Sequence, residues 1–380
     1  PGTDLQVGLL PTSRFSAARF RTVDGIVHMP NLPTEEVFST PDPARTSGVV
    51  RSTNGGKRWE RRVSGLASWG VQGIAVSRTG AVFASFGGGM SVTRDRGASW
   101  SPSLLPLRQV ECLAVDADGR LFAGLLAGGD AGHEGGVLRS TDEGATWAVP
   151  SNRLSEFAVT SLASDSTGRL YAGTGLTATW TLGAGLYRST DHGDTWKRIG
   201  EEVFGAAVWA LATDPADAVY AGTEDGMFRS RDGGESWTRL EIDAGPVRVV
   251  SIALDTARGT HYAATFGAGM IRSVDGGDTW HTANEGVTDN NIRTVAVCPN
   301  GDVVAGTYLN LFYSRNNGLS WSSVRDGLTN SDVYALAVDP EGYVYAGTYA
   351  NGVYRTVAPV GALSAAARAR SRRLLVRACP

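Results

Sequence analysis

Seven tryptophans close seven copies of one short polar motif, and their spacing constrains this chain more than any other feature. Trp59, Trp100, Trp147, Trp196, Trp237, Trp280 and Trp321 follow one another at intervals of 41, 47, 49, 41, 43 and 41 residues. Each ends a run of the form Ser-x-Asp-x-Gly-x-Thr/Ser-Trp or something near it, seen most fully at Ser230 to Trp237, with Arg58 in the Thr/Ser place of the first copy and Thr93 in the Ser place of the second. Asp95, Asp142, Asp191, Asp232 and Asp275 hold the acidic place, and Asn54 and Asn316 replace it in the first and last copies. A fixed period of this length means a repeat array rather than a series of unrelated domains.

Three apolar runs of four to six residues precede each motif. In the last unit they are Ala335 to Pro340, Tyr343 to Thr348 and Gly352 to Thr356. Rich in Val, Leu, Tyr and Ala and bounded by Gly, Asp, Asn or Pro, these runs read as strands A, B and C, with a strand D beginning near the tryptophan. A small alanine recurs in strand A, at Ala75, Ala114, Ala163, Ala212, Ala253, Ala296 and Ala337, as suits an inner strand where radial sheets converge. Four short strands per repeat, 49 glycines and no helical periodicity predict an all-β fold, a single β-propeller. Counting a degenerate set at Ile26 to Ser52 makes eight four-stranded blades; without it the ring has seven.

Residues 1–357 are expected to form the propeller, and 358–380, with Arg368, Arg370, Arg372, Arg373 and Arg377, a basic Ala/Arg-rich tail. The last blade lacks an outer strand of its own. The stretch 5–10 is expected to supply it and close the ring, the alternative donor being Arg373 to Arg377.

Asp or Asn two residues ahead of a glycine is turn chemistry, with the carboxylate accepting backbone N–H groups and the glycine taking positive φ. The motif is similar to the Asp-box, or bacterial neuraminidase repeat, and the resemblance runs in register over about residues 20 to 357. Such boxes occur in sialidase, xyloglucanase, sortilin-type receptor and photosystem II assembly-factor propellers. The resemblance implies that the boxes lie on C-D hairpins, away from the binding face, so the seven Asp/Asn residues are structural. It also implies an extracytoplasmic or secreted protein.

Chemistry is sparse in this sequence. No Arg-Ile-Pro stretch accompanies the boxes, and the strand-C arginines Arg51, Arg139, Arg188, Arg229, Arg272 and Arg355 recur with the repeat, which makes them blade contacts. Glu111, Glu224, Asp225 and Asp332 sit near loops with nothing to pair them as a glycosidase needs. The histidines and the three cysteines have no metal spacing, so no metal and no cofactor is expected. A formal net charge of -3 gives no case for nucleic acid, and no apolar run is long enough for membrane insertion.

One column of strand A varies while its neighbours hold: Gln72, Glu111, Thr160, Trp209, Val250, Arg293 and Tyr334. The B-C loops of the same face contribute Phe86, Phe266, Tyr308 and Tyr349, and a long insertion contributes Trp180. Trp180, Trp209, Arg293, Tyr308, Tyr334, Tyr349, Phe266 and Glu111 are the expected binding residues, an aromatic and partly cationic surface. The expectation is a monomeric, non-catalytic module for a glycan or protein ligand; the alternative is a glycoside hydrolase.

Overall fold

A computed structural model describes residues 21–23, 26–28, 38–39, 49–52, 59–62, 71–86, 89–95, 97–103, 109–127, 135–148, 154–177, 182–201, 207–324, 332–340, 343–348, 352–356 and 376–378. Every regular element among them is a strand. The chain divides into two compact units, Pro1–Ser47 and Gly48–Pro380. The first holds one antiparallel sheet of Arg21–Val23, Ile26–His28 and Phe38–Ser39.

The second unit is a β-propeller arrangement. Its sheets run A-B-C-D in chain order, and the A strands are Val71–Val76, Val110–Val115, Phe157–Ser164, Val208–Thr213, Arg248–Asp255, Ile292–Val297 and Val333–Val338. Six of these sheets have four strands or more; in the second, the fourth is reduced to a single bridge between Arg139 and Ala148. Each A strand packs against the next, and Val333–Val338 packs directly on Val71–Val76. The seam is tight: a Cβ on Gly347 would run into Val71, with Ile74 3.1 Å away.

Ile26–His28, part of the degenerate set expected to make a further blade, belongs to the first compact unit and pairs there with Arg21–Val23 and Phe38–Ser39. Short apolar runs bounded by Gly and Pro suit many β structures, so the degenerate set carried too little information to identify a blade. Val49–Ser52 and Trp59–Arg62 instead form a two-stranded hairpin that touches Val376–Ala378. The outer strand of the last sheet is Val376–Ala378, paired with Gly352–Thr356. The C-terminal donor thus occupies the place expected of 5–10, a stretch outside the described residues.

Burial peaks at the second strand of the sheets, with A strands such as Val110–Val115 largely half-buried. The B strands Val82–Phe86, Leu121–Leu125, Val219–Thr223, Val303–Thr307 and Val344–Thr348 are buried at every position. Each lies between two neighbouring sheets, which is why these strands read as continuous apolar runs rather than alternations. D strands such as Thr238–Arg239 are exposed.

The boxes behave as turns, and they also join sheets. Asp232 accepts from the Ser236 N–H at 2.9 Å, the Glu235 N–H at 3.0 Å and the Ser230 hydroxyl at 2.7 Å, while Ser230 Oγ accepts from the Gly234 N–H at 2.7 Å. Two successive residues take positive φ, as in Glu143 and Gly144 (53° and 79°) or Gly233 and Gly234 (72° and 93°). A Cβ on the second glycine would also meet an aromatic of the preceding sheet, Phe83 at 2.9 Å from Gly144 or Tyr220 at 2.8 Å from Gly277. Strand-C arginines reach the same turns: Arg188 to the Gly233 carbonyl at 2.6 Å, Arg139 to the His192 carbonyl at 2.9 Å, and Arg229 to Asp278 at 2.6 Å. Their recurrence therefore has a structural cause, the docking of each box onto the preceding sheet.

Hydrogen bonds from the Thr146 hydroxyl, the Thr146 N–H and the Ser140 hydroxyl hold the Asp142 carboxyl down at about 2. Burial pushes Asp191 up, but its bonds from Thr195 and Ser189 outweigh that and leave it at about 2 as well. A carboxylate held below its unfolded value of about 3.9 stabilises the fold above that pH, and the contribution is lost as pH falls through about 2. Asp232→Ala is expected to cost about 1 kcal/mol near neutrality, since water reaches the turn amides. Asp232→Asn should cost less, because Asn316 already accepts from the Ser320 N–H at 3.0 Å and donates to Ser320 Oγ at 2.9 Å. Denaturant titrations of both variants check the order.

Candidate functional site

The variable column of strand A has a structural cause. Pairing between strands A and B skips a residue in all seven sheets, between Val71 and Gly73, Val110 and Cys112, Val159 and Ser161, Val208 and Ala210, Val249 and Ser251, Ile292 and Thr294, and Val333 and Ala335. The skipped residues are Gln72, Glu111, Thr160, Trp209, Val250, Arg293 and Tyr334. A bulge leaves one residue out of the ladder and re-aims its side chain, and here it does so at the D-A end of every inner strand. All seven are half-buried.

Five of the expected binding residues meet in one ladder of rings and guanidinium groups that crosses the fourth to seventh sheets. Trp209 donates its indole N–H to Glu224 Oε1 at 2.8 Å. Arg248 pairs with Glu224 Oε2 at 2.5 Å, with its guanidinium carbon 5.6 Å from the Trp209 ring and 5.6 Å from the Phe266 ring. Phe266 meets Tyr308 edge-on at 6.0 Å. Arg293 then lies 3.8 Å from both the Tyr308 and the Tyr334 rings, with Asp332 3.9 Å from its Nε. Tyr308 and Leu309 at the B-C turn are 37% and 65% exposed, so the ladder reaches solvent.

Arg248 was not legible as a site residue. It lies two positions ahead of the variable column, and only the bulge and the crossing of sheets bring it between Trp209 and Phe266. Glu111 belongs to the second sheet and stands apart from the ladder. Burial raises its pKa, against a hydrogen bond from Gln109 at 2.9 Å. Trp180 and Tyr349 lie outside the described residues. Phe86, at 3% exposure, is buried rather than offered to a ligand.

The opposite end of the channel differs in kind. A cavity of about 780 Å³ there is lined by the A-B turns of all seven sheets, including Asp116, Asp165, Asp214, Asp255 and Asp339. These carboxylates are committed to their own turns: Asp116 accepts from the Asp118 and Arg120 N–H groups, Asp165 from Thr167 and Arg169, and Asp214 from Ala216 and Ala218. Asp116, Asp118 and His192 could together offer three metal ligands. The Arg120 guanidinium sits among them instead, 2.9 Å from Asp116, 2.7 Å from Asp118 and 3.0 Å from His192 Nδ1, and supplies the positive charge itself.

A buried thiol, Cys298, a half-buried one, Cys112, and a histidine also lie among the packed strands. Burial pushes the Cys298 thiol up to about 12 and raises Cys112 as well, which disfavours the thiolate at both. His261 stands where other B strands carry Val82, Leu121, Leu170, Val219, Val303 or Val344. It is 3% exposed between Tyr220 and Trp280, and its Nδ1 has no hydrogen-bond partner among the described residues. Burial lowers its pKa despite the opposing Thr260 hydrogen bond and the charges of Asp214 and Asp255. The unfolded chain therefore binds the proton first, and stability falls as pH drops below about 6.5 toward the folded value. His261→Leu is expected to flatten that part of the curve, measured as melting temperature between pH 7 and pH 5.

Comparisons with known proteins agree with the fold and add a second relationship. A BNR/Asp-box repeat profile matches residues 187–198. The GH74 enzyme of Niastella koreensis superposes with a TM-score of 0.67 at 19% identity, over 83% of this chain and 55% of that one. The extracellular domain of a one-component system from B. thetaiotaomicron gives 0.61 at 17% identity, over 76% of this chain and 39% of that one. YCF48 from Cyanidioschyzon merolae gives 0.57 at 16% identity, over 77% and 96%. Fold and turns together describe a β-propeller that carries Asp-box repeats.

The N-terminal part has different relatives. A profile for thermophilic metalloproteases (M29) matches residues 1–78. Aminopeptidase T of Thermus aquaticus is 41% identical over 76 residues, 20% of this chain and 19% of that protein. Aminopeptidase PepS of Streptococcus thermophilus is 45% identical over 53 residues, 14% and 13% of the two chains. The match thus spans about a fifth or less of these relatives' length, and it includes the residues whose strand pattern suggested a further blade.

Proposed function

We propose that this chain is a seven-bladed Asp-box propeller that binds a glycan on its D-A/B-C face without transforming it. The observation that carries this reading is the ladder from Trp209 to Tyr334, four consecutive sheets contributing aromatic rings, of which Tyr308 is exposed. Sugar rings present apolar C–H faces and polar edges, and such a surface answers both. Of the carboxylates beside it, Glu224 is held by Trp209 and Arg248, and Asp332 lies 3.9 Å from Arg293 Nε. A module of this kind works as a monomer outside the cytoplasm, in keeping with the extracellular neighbour of the same fold.

Trp209→Ala, Tyr308→Ala and Arg293→Ala are each expected to weaken binding of the recognised glycan by about 2 kcal/mol or more, over tenfold, as truncation of a central aromatic or arginine does. Calorimetric titration against a glycan panel checks this; unchanged affinity in all three variants removes the face from consideration. The second reading, a glycoside hydrolase, is favoured by Glu111, whose raised pKa suits a general acid. Turnover of a polysaccharide that is abolished by Glu111→Gln would establish it instead. The aminopeptidase activity of the N-terminal relatives is not carried over, since so little of their length is matched.

A further inference from the structure

The two arginines of the ladder are held in opposite ways. Arg248 spends its charge on Glu224 at 2.5 Å. Arg293 is stacked between Tyr308 and Tyr334 at 3.8 Å on each side, makes no hydrogen bond among the described residues, and approaches Asp332 no closer than 3.9 Å. Its Nε is enclosed without a hydrogen-bond partner, and its side chain keeps 19% of its surface open. Stacking uses the faces of a guanidinium and leaves its in-plane N–H fork aimed along the gap between the rings. A carboxylate can take two parallel hydrogen bonds from such a fork, which a neutral hydroxyl cannot.

We infer that Arg293 is the receptor for a ligand carboxylate, and that the glycan bound on this face is built from uronic acids. The inference rests on the glycan reading above and narrows it. Trp209 and Phe266 offer rings to sugar units further along the chain, while the clamp between Tyr308 and Tyr334 selects the unit that carries the acid.

The test is calorimetric titration of galacturonate, glucuronate and mannuronate oligomers, each beside its methyl ester and its carboxyl-reduced neutral form, with polyglutamate as an acidic chain without sugar. The full chain is compared with Arg293→Lys, which keeps the charge but loses the fork, and with Trp209→Ala. The expected result is binding of one free uronate, loss of about tenfold or more on esterification, and the same loss in Arg293→Lys for the acid but not the ester. The esterification arm uses the unaltered protein, so it stands even where a variant fails to fold. Equal affinity for acid, ester and neutral forms, weakened in all by Trp209→Ala, would overturn the carboxylate inference and leave the glycan reading intact. Binding of polyglutamate without any uronate would overturn the uronate, and binding of none of these probes would overturn both readings.

Discussion

Trp280→Ala is expected to remove about 3 to 5 kcal/mol of stability, the cost of emptying a fully enclosed aromatic site. Trp280 is 0% exposed and packs in one cluster with Tyr220, Met227, Leu240, Val249 and Ile271, side chains drawn from both the fourth and the fifth sheets. Its indole N–H bonds the Gly277 carbonyl of its own box at 3.2 Å, so truncation leaves a cavity and frees a turn carbonyl together. Trp237 makes the same bond at 3.3 Å but is only half-buried. The same change there should cost clearly less. Chemical denaturation of the two variants side by side would reveal it, and equal losses would mean that the boxes do not join sheets.

Gly222→Val should cost about 1 to 3 kcal/mol or more through overpacking. A Cβ at Gly222 would meet both Cγ1 and the backbone carbonyl of Val249 in the next sheet at 2.8 Å, and a carbonyl cannot rotate away. The equivalent positions Gly124, Gly173, Gly306 and Gly347 meet Val159, Val208, Val333 and Val71 in the same manner. Ala264 fills the place in the fifth sheet and Ser85 in the first, so the ring tolerates one small atom there but not a branched side chain. Val at 222 that left the melting curve unmoved would show that the sheets can separate slightly without loss.

Most of the propeller was legible because its cause is local. The Asp-box needs an acceptor at one place and positive φ at two, and those demands are written in residues such as Asp232, Gly233 and Gly234. The variable column was also legible, since Glu111, Trp209, Arg293 and Tyr334 interrupt a run of small and apolar neighbours. What the column meant was not. A bulge is a relation between two strands, and no strand-A residue announces that its partner skips it. The contacts of Arg248 and Glu224 are likewise relations between sheets, joining residues whose positions in the repeat differ.

The termini mark the other boundary. Apolar runs of three to five residues flanked by Pro and Gly pair equally well in a blade or elsewhere, so Ile26–His28 could not be assigned from its composition. For this chain the repeat alone determined strand order, turn chemistry and the face on which side chains vary, because each depends on residues close in sequence. Ring closure, the donor of the last strand and the stacking of Arg293 between two tyrosines were decided only by tertiary structure. Each depends on how strands far apart in sequence sit against one another, which no single repeat encodes.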